Sequence, residues 1–340
     1  ECIRITTDAV VMETLKDVKL CFPQLNTSCK KHSHTHTEAM LIYTLLPSMS
    51  VLTAVLNLLV IISISHFRQL HTPTNLLLLS LAVSDFLVGF IIMPFLILLT
   101  EPCWFLGDLI CSLYYLVAST IVCSSIVNMV LISAERFVAI CHPLSYHNKV
   151  TERKVRIFVF FSWIYCFLYS LLILVFSSDN LNQLGRSTSC YGECVITVNG
   201  TVDLVIIFII PFSAIIILYL RVFVVAVSQA RSMRSHIAAV KLQRSLIVTV
   251  QRSELKAART LGVVVVVFLM CYCPYFCVSL SGSDLRVGSL SQTLVGFIIY
   301  CNSCLNPLIY AFLYPWFRKS VKLIVTLQIL RPNSHAGNVL

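Results

Sequence analysis

Asp85 and Asp203 are carboxylates embedded in apolar sequence, in LAVSDFL and TVDLVII. A charge at the centre of a bilayer costs about 2.5–3.5 kcal/mol even on the most lenient insertion scale, so an acid inside a membrane implies a partner. For Asp85 the candidates are Asn57, Ser125, Asn302, Ser303 and Asn306, each placed at similar depth in its own apolar run. One carboxylate among neutral oxygens suits a small hard cation. The alternative is a neutral aspartic acid in a hydrogen-bonded network. Asp203 stands near the outer end of its run, eight residues before Pro211. It can meet a ligand cation there, or sit at the rim against water and loop residues such as Arg186. A third centre is Glu135-Arg136-Phe137, at the inner end of another run. An arginine keeps its proton and seeks a carboxylate, which Glu135 or Glu254 could supply; snorkelling to the headgroups is the simpler reading. His32, His34 and His36 alternate in a polar tail, where a solvated state competes with a metal cluster.

These residues need a scaffold, and composition defines it. The chain has 340 residues, 58% hydrophobic and 12% charged, against about 25% charged in a soluble domain. It is therefore an all-α integral membrane protein. Seven runs approach the roughly 20 residues that span a bilayer: 41–64, 76–99, 113–134, 157–176, 202–227, 260–280 and 287–313. An odd number puts the termini on opposite sides. The connections after the first, third and fifth runs and the C-terminal tail hold most of the Lys and Arg, which makes them cytoplasmic and the N-terminus extracellular. Anionic lipid is a sufficient partner for the net charge of +10, and nucleic acid need not be invoked. The expected organisation is an extracellular segment over 1–40, a seven-helix bundle over 41–313, and an amphipathic helix with tail over 314–340. Residues 1–40 show no apolar region of signal-peptide length. Met12 offers an alternative natural start, which would make residues 1–11 foreign; the sequence leaves both readings open.

Of the 15 cysteines, many lie inside the runs and read as small buried hydrophobes. Cys21, Cys29, Cys103, Cys111, Cys190 and Cys194 fall outside or at the outer rim, where disulfides form. Asn26-Thr27-Ser28 is a glycosylation sequon on the outer side, and Asn199-Gly200-Thr201 is a second, close to the membrane.

Taken in order, Asn57, Leu81-Ala82-Val83-Ser84-Asp85, Glu135-Arg136-Phe137, Pro211 with Tyr219, Phe268 with Cys271-Tyr272-Cys273-Pro274, and Asn306-Pro307-Leu308-Ile309-Tyr310 resemble the signatures of rhodopsin-like G-protein-coupled receptors. The run NSCLNPLIYAFLYPWF over 302–317 further resembles the trace amine-associated receptors, as do HFRQLHTPTNLLLLSLAVSDFLVG and SELKAARTLG. The resemblance implies Arg136 as the G-protein-engaging arginine with Glu254 as its inactive-state lock. It implies Pro211, Ile126 and Phe268 as a transmission core, and Tyr219 and Tyr310 as groups that swing toward Arg136. Asp85, Ser125 and Asn306 would hold sodium as an allosteric ion, with no other cofactor. Cys111 would pair with Cys194, and Cys190 with an N-terminal cysteine, Cys29 fitting better than Cys21. Past Pro315, Phe317, Val321, Ile324 and Val325 would face lipid opposite Arg318, Lys319 and Lys322. The implied partners are a small-molecule amine, membrane lipid and a heterotrimeric G protein of the stimulatory class.

The departures from the family pattern carry information of their own. Seven residues after Cys111, where most amine receptors place an aspartate, this chain has Ala118. The usual tryptophan two residues before the sixth-run proline is Tyr272. Asp203 without the third-run acid resembles the fish branch of the family thought to bind amines in a reversed orientation. Around it Tyr115, Ser119, Cys123, Tyr275, Phe276 and Tyr300 would supply aromatic faces and hydroxyls. The expected function is an odorant-type amine receptor and not an enzyme. A receptor for a non-amine ligand and a seven-helix transporter are the alternatives; the seventh run has no lysine for a retinal Schiff base, and no repeated half-architecture is visible.

Overall fold

The computed structural model describes residues 20–31, 35–183, 190–192, 194, 202, 204–237, 262–277, 290–331 and 335. Among them, six helices are long and apolar enough to cross a membrane, and Gly262–Cys277 is a shorter apolar helix. We label the helices α1 (Ile42–His66), α2 (Pro73–Thr100), α3 (Gly107–Cys141), α4 (Pro143–Lys149), α5 (Glu152–Gln183), α6 (Leu204–Ile209 continuing as Ile210–Ile237), α7 (Gly262–Cys277), α8 (Leu290–Leu313) and α9 (Pro315–Val325). Helix α3 is the hub, packed against α2, α5 and α6, while α1 packs on α2 and α8.

Burial is inverted relative to a soluble domain. Asn57, Ser84, Asp85, Asn128 and Asn306 are fully buried, whereas Phe158, Phe161 and Leu172 on α5 and Ile217, Leu220 and Phe223 on α6 point outward. Large apolar side chains facing outward suit lipid, and polar ones must find partners inside the bundle.

Among the described residues, three stretches widen into π-helical turns: Leu41–Leu45, Val88–Ile92 and Leu204–Ile209. Each ends two residues before a proline, Pro47, Pro94 and Pro211. A proline lacks the N–H and crowds the carbonyl of the preceding turn, and a wider turn relieves both. Helix α2 starts cleanly because the Thr72 hydroxyl accepts from the Asn75 N–H at 3.3 Å and Pro73 fills the first helical position. Its crossing with α1 is close: a Cβ on Gly89 would stand 2.7 Å from the Ala54 nitrogen. The Ser50 hydroxyl also donates to the Gly89 carbonyl at 2.7 Å.

The outer face is laced. The N-terminal stretch folds back on itself, with the Cys21 N–H donating to the Cys29 carbonyl at 2.9 Å. It pairs with the loop before α6 through Cys29 N–H to the Tyr191 carbonyl and Tyr191 N–H to the Thr27 carbonyl, both 2.9 Å. Disulfides join Cys111 to Cys194, Cys29 to Cys190 and Cys21 to Cys103. Cys21 thus takes a partner in the α2–α3 loop and does not compete for Cys190. Gly192 has φ +104°, and a Cβ there would meet the Cys21 Cβ at 2.9 Å, so the position requires glycine. Asn26 is exposed at the turn of the hairpin. At the inner face α9 buries Trp316 and Phe317 against the bundle, and Arg318 donates to the Ala311 and Phe312 carbonyls at 3.0 Å, capping α8.

Candidate functional site

The outer half carries an aromatic lining on two facing helices. Phe208 and Phe212 on α6, and Phe268, Tyr272 and Phe276 on α7, recur every four residues, so each set shares one helix face. Phe208 stacks on Phe276 with centroids 4.0 Å apart, Phe212 lies 5.1 Å from Phe268, and Phe268 lies 4.6 Å from Tyr272. Ile126 of α3 joins the same buried cluster, while Pro211 is half-buried beside Phe212 in sequence. Phe208 and Phe212 are additions that the sequence reading misses, because the run around them is apolar at every position.

Across the bundle, Tyr114, Tyr115, Ala118 and Tyr300 form a second apolar group with Phe95 of α2. Tyr114 stacks on Phe95 at 5.8 Å, meets Tyr115 edge-on at 5.7 Å and hydrogen-bonds Tyr300. Ala118 brings no charge to this side. Tyr275 is partly exposed and stands edge-on to Phe276 at 5.1 Å. Ser119 and Cys123 turn toward α5: the Ser170 hydroxyl donates to the Ser119 oxygen at 2.9 Å, and the Cys123 and Cys166 thiols hydrogen-bond. Asp203, Arg186, Glu193, Asn199, Asp284, His32 and His34 lie outside the described residues.

Below the aromatic layer sits a buried polar cluster. The Asn306 amide donates to Asp85 Oδ2 at 2.7 Å, and Ser303 also bonds the carboxylate. The Asn57 amide donates to the Thr53 and Ser303 carbonyls, both at 2.9 Å, tying α1 to α8. Asp85 Oδ1, Ser125 Oγ, Asn302 Oδ1 and Nδ2, and Asn306 Oδ1 are buried with no protein partner. Unmatched buried polar atoms are rare in folded proteins. A set dominated by oxygen, with one carboxylate, fits a hard cation in both charge and ligand type.

At the inner end of α3, Glu135 and Arg136 form a two-pronged ion pair: Nε to Oε2 and Nη2 to Oε1, both 2.5 Å. Both residues are buried. The Thr74 hydroxyl donates to Glu135 Oε1 at 3.0 Å and accepts from Arg136, and the Tyr146 hydroxyl of α4 donates to the same carboxylate oxygen. Burial first, then the neighbouring Glu135 carboxylate, push the Tyr146 phenol above its ordinary range. It therefore remains a donor at neutral pH. Of the two carboxylates open to Arg136 in the sequence, Glu135 makes the contact described here, and Glu254 lies outside the described residues. The buried hydroxyls of Tyr219 and Tyr310 have no hydrogen-bond partner, although Tyr219 feels the Arg136 charge. The unsatisfied Tyr219 phenol beside the ion pair provides a group for a second arrangement of this end.

Residues 56–310 match the family model for seven-transmembrane receptors of the rhodopsin family. The chain is 37% identical over 330 residues to trace amine-associated receptor 13c of Danio rerio, covering 94% of this chain and 96% of that protein. It is 38% identical over 329 residues to trace amine-associated receptor 8b of Rattus norvegicus, covering 93% and 95%. With trace amine-associated receptor 7f of Mus musculus it shares 38% identity over 331 residues, covering 94% and 92%.

Proposed function

Because the chain belongs to the trace amine-associated receptors of the rhodopsin family, multi-pass plasma-membrane receptors and not enzymes, we propose that it binds small amines at the outer half and signals to a G protein. The ammonium is held by Asp203, the coupling surface is the Arg136 region, and the G protein is of the stimulatory, cAMP-raising class.

The observation that carries the anchor is the acid balance of the outer half. Ala118 leaves the tyrosine side of the bundle without a carboxylate. Glu101 is at the rim, accepting from Tyr43 at 3.1 Å, and Asp108 is exposed. A cation entering a low-dielectric pocket loses hydration worth several kcal/mol, which a carboxylate must offset. Asp203, slightly over two helical turns above Pro211, is the acid that the sequence offers at that depth. The aromatic faces of Tyr115, Tyr275, Phe276 and Tyr300 add cation–π attraction of about 0.5–2 kcal/mol each.

Each part of the chain then has its task. The ligand bridges α6, carrying Phe208 and Phe212, to α7, carrying Phe268 and Tyr272. Rotation of these packed rings is transmitted downward, where the Glu135 to Arg136 pair opens and Arg136 becomes available to the G protein. Sodium, when bound, supplies a compensating positive charge at Asp85, with Ser125 and Asn306 as further ligands, and favours the resting arrangement.

A cAMP-reporter screen of volatile mono- and diamines, with surface expression counted, tests the reading. Asp203→Asn abolishes the amine response at wild-type surface level, and Asp203→Glu reduces it less. Unchanged amine potency in Asp203→Asn would rule out the anchor.

A further inference from the structure

The apolar face of α9 is used up before the helix ends. Trp316 and Phe317 are buried in the bundle, and Val321 and Leu323 pack against the same core. Three large aliphatic side chains stay exposed at the tip and past it: Val325 is 70% exposed, Leu327 66% and Leu330 77%. Residues 318–340 contain no cysteine that could carry an acyl chain. The backbone here is strained as well as ordered. The Thr326 N–H and hydroxyl close α9 by donating to the Lys322 carbonyl at 3.0 and 2.7 Å. Leu327 follows with φ +56°, the left-handed conformation that glycine or asparagine ordinarily takes after a helix. Among the described residues it is the sole non-glycine with a positive φ. The turn is then held by Leu330 N–H to the Leu327 carbonyl and Arg331 N–H to the Gln328 carbonyl, both 3.2 Å. Strain of this kind persists where something else offsets it, and so exposed a leucine finds little within the chain to do so.

The start of α9 fixes which way this surface looks. Arg318 reaches the carbonyls of Ala311 and Phe312 at 3.0 Å, and the Phe312 ring points outward at the inner end of membrane-spanning α8. Arg318, Lys322 and Val325 share one face of α9, at i, i+4 and i+7. That face therefore continues the lipid-facing surface of α8. Lys319, Lys322 and Arg331 on the same segment are exposed cations suited to anionic headgroups. We propose that Val325, Leu327 and Leu330 form an apolar wedge, beyond the end of α9, that enters the anionic inner leaflet. Buried aliphatic area and attraction to anionic lipid are the two contributions by which such a segment binds a membrane surface. The left-handed turn at Leu327 puts a leucine where a glycine would leave the wedge incomplete. With its apolar face in the bundle and its tip in lipid, α9 is held from both sides without a covalent lipid.

Amide hydrogen exchange of residues 326–331, followed by mass spectrometry on the full chain in lipid nanodiscs, tests the wedge. In nanodiscs of phosphatidylcholine with phosphatidylserine the wild-type segment is protected, and less so in phosphatidylcholine alone, where the cations lose their anionic partners. Leu327→Asn is the decisive variant, because asparagine suits the left-handed turn better than leucine but cannot enter lipid. If the position served only to end the helix, the variant would be protected as well as wild type or better. The wedge requires the reverse: exchange faster by about tenfold or more, the factor that burial of one leucine side chain sustains. Leu330→Gln, which leaves the strained backbone untouched, shifts exchange in the same direction. Wild-type protection in Leu327→Asn overturns the proposal. So does fast exchange of the wild-type segment in the anionic nanodisc, which would leave a cytosolic protein as the occupant of this surface.

Discussion

The two ends of the bundle are held by different chemistry. At the outer end, three disulfides and a short ladder of backbone hydrogen bonds join the N-terminal hairpin, the α2–α3 loop and the loop before α6. At the inner end, Arg136 makes a buried ion pair with Glu135, whose carboxylate also accepts from Thr74 and Tyr146, beside the Tyr219 phenol, which has no hydrogen-bond partner. Covalent links restrict a region to one arrangement, whereas an ion pair flanked by an unsatisfied donor can be exchanged for another at a cost of a few kcal/mol. The outer end is thus built to hold a shape and the inner end to change one.

The largest effect expected from that contrast is at Cys111. Cys111→Ser frees the loop before α6 from α3, costing about 2–5 kcal/mol. Surface expression and amine response should fall together, as flow cytometry with a cAMP assay will read. Arg136→Ala should separate the two quantities: the receptor reaches the surface and binds ligand but raises no cAMP. Full signalling by that variant would remove the inner end from the coupling role. Removing the Cys21 to Cys103 bridge in a double serine variant is milder, about 2 kcal/mol, because the hairpin keeps its link to Cys190. A few degrees lower unfolding temperature with ligand potency intact is the expected result, and loss of potency would mean that the outer end is less redundant than its bridges suggest. Smallest is Thr74→Val, which removes the hydrogen bond to Glu135 and the one accepted from Arg136 while the ion pair itself stays, a net loss of about 1 kcal/mol. Basal cAMP should rise by up to about fivefold, the two-state shift that such an energy allows. An unchanged basal level would show that the ion pair holds without its neighbours.

The sequence and the structure divide the site unevenly between them. Apolar runs of bilayer length show the helices, and the buried position of Asp85 is legible because a polar residue in such a run has nowhere else to point. Which face of α6 turns inward is not legible, since Leu204 to Phe212 is apolar at every position and no periodicity distinguishes Phe208 and Phe212 from their neighbours. The partner of Cys21 is equally hidden, because disulfide connectivity depends on how distant loops meet, not on spacing. The choice between Glu135 and Glu254 for Arg136 is a matter of local packing, and Thr74 and Tyr146, which complete that packing, carry no motif. Cys123 and Ser119 have the right depth for a ligand-facing role, yet hydrogen-bond toward α5, a rotation of α3 that the sequence does not express.

The outer lacing also dictates an order of assembly during synthesis. Cys21 and Cys103 are 82 residues apart, so their bridge can close once α1 and α2 have been threaded into the bilayer and the loop after them is in the lumen. Cys29 must wait 161 residues for Cys190, and Cys111 must wait 83 for Cys194, both beyond α5. Between those moments Cys29 and Cys111 are exposed thiols in an oxidising compartment, able to pair with each other or with Cys103 if it is still free. Early closure of Cys21 to Cys103 takes two competitors out of that pool and leaves Cys29, Cys111, Cys190 and Cys194 to sort between three pairings in place of fifteen. Through this loop-to-hairpin bridge, the first link to form simplifies the choice left to the other two.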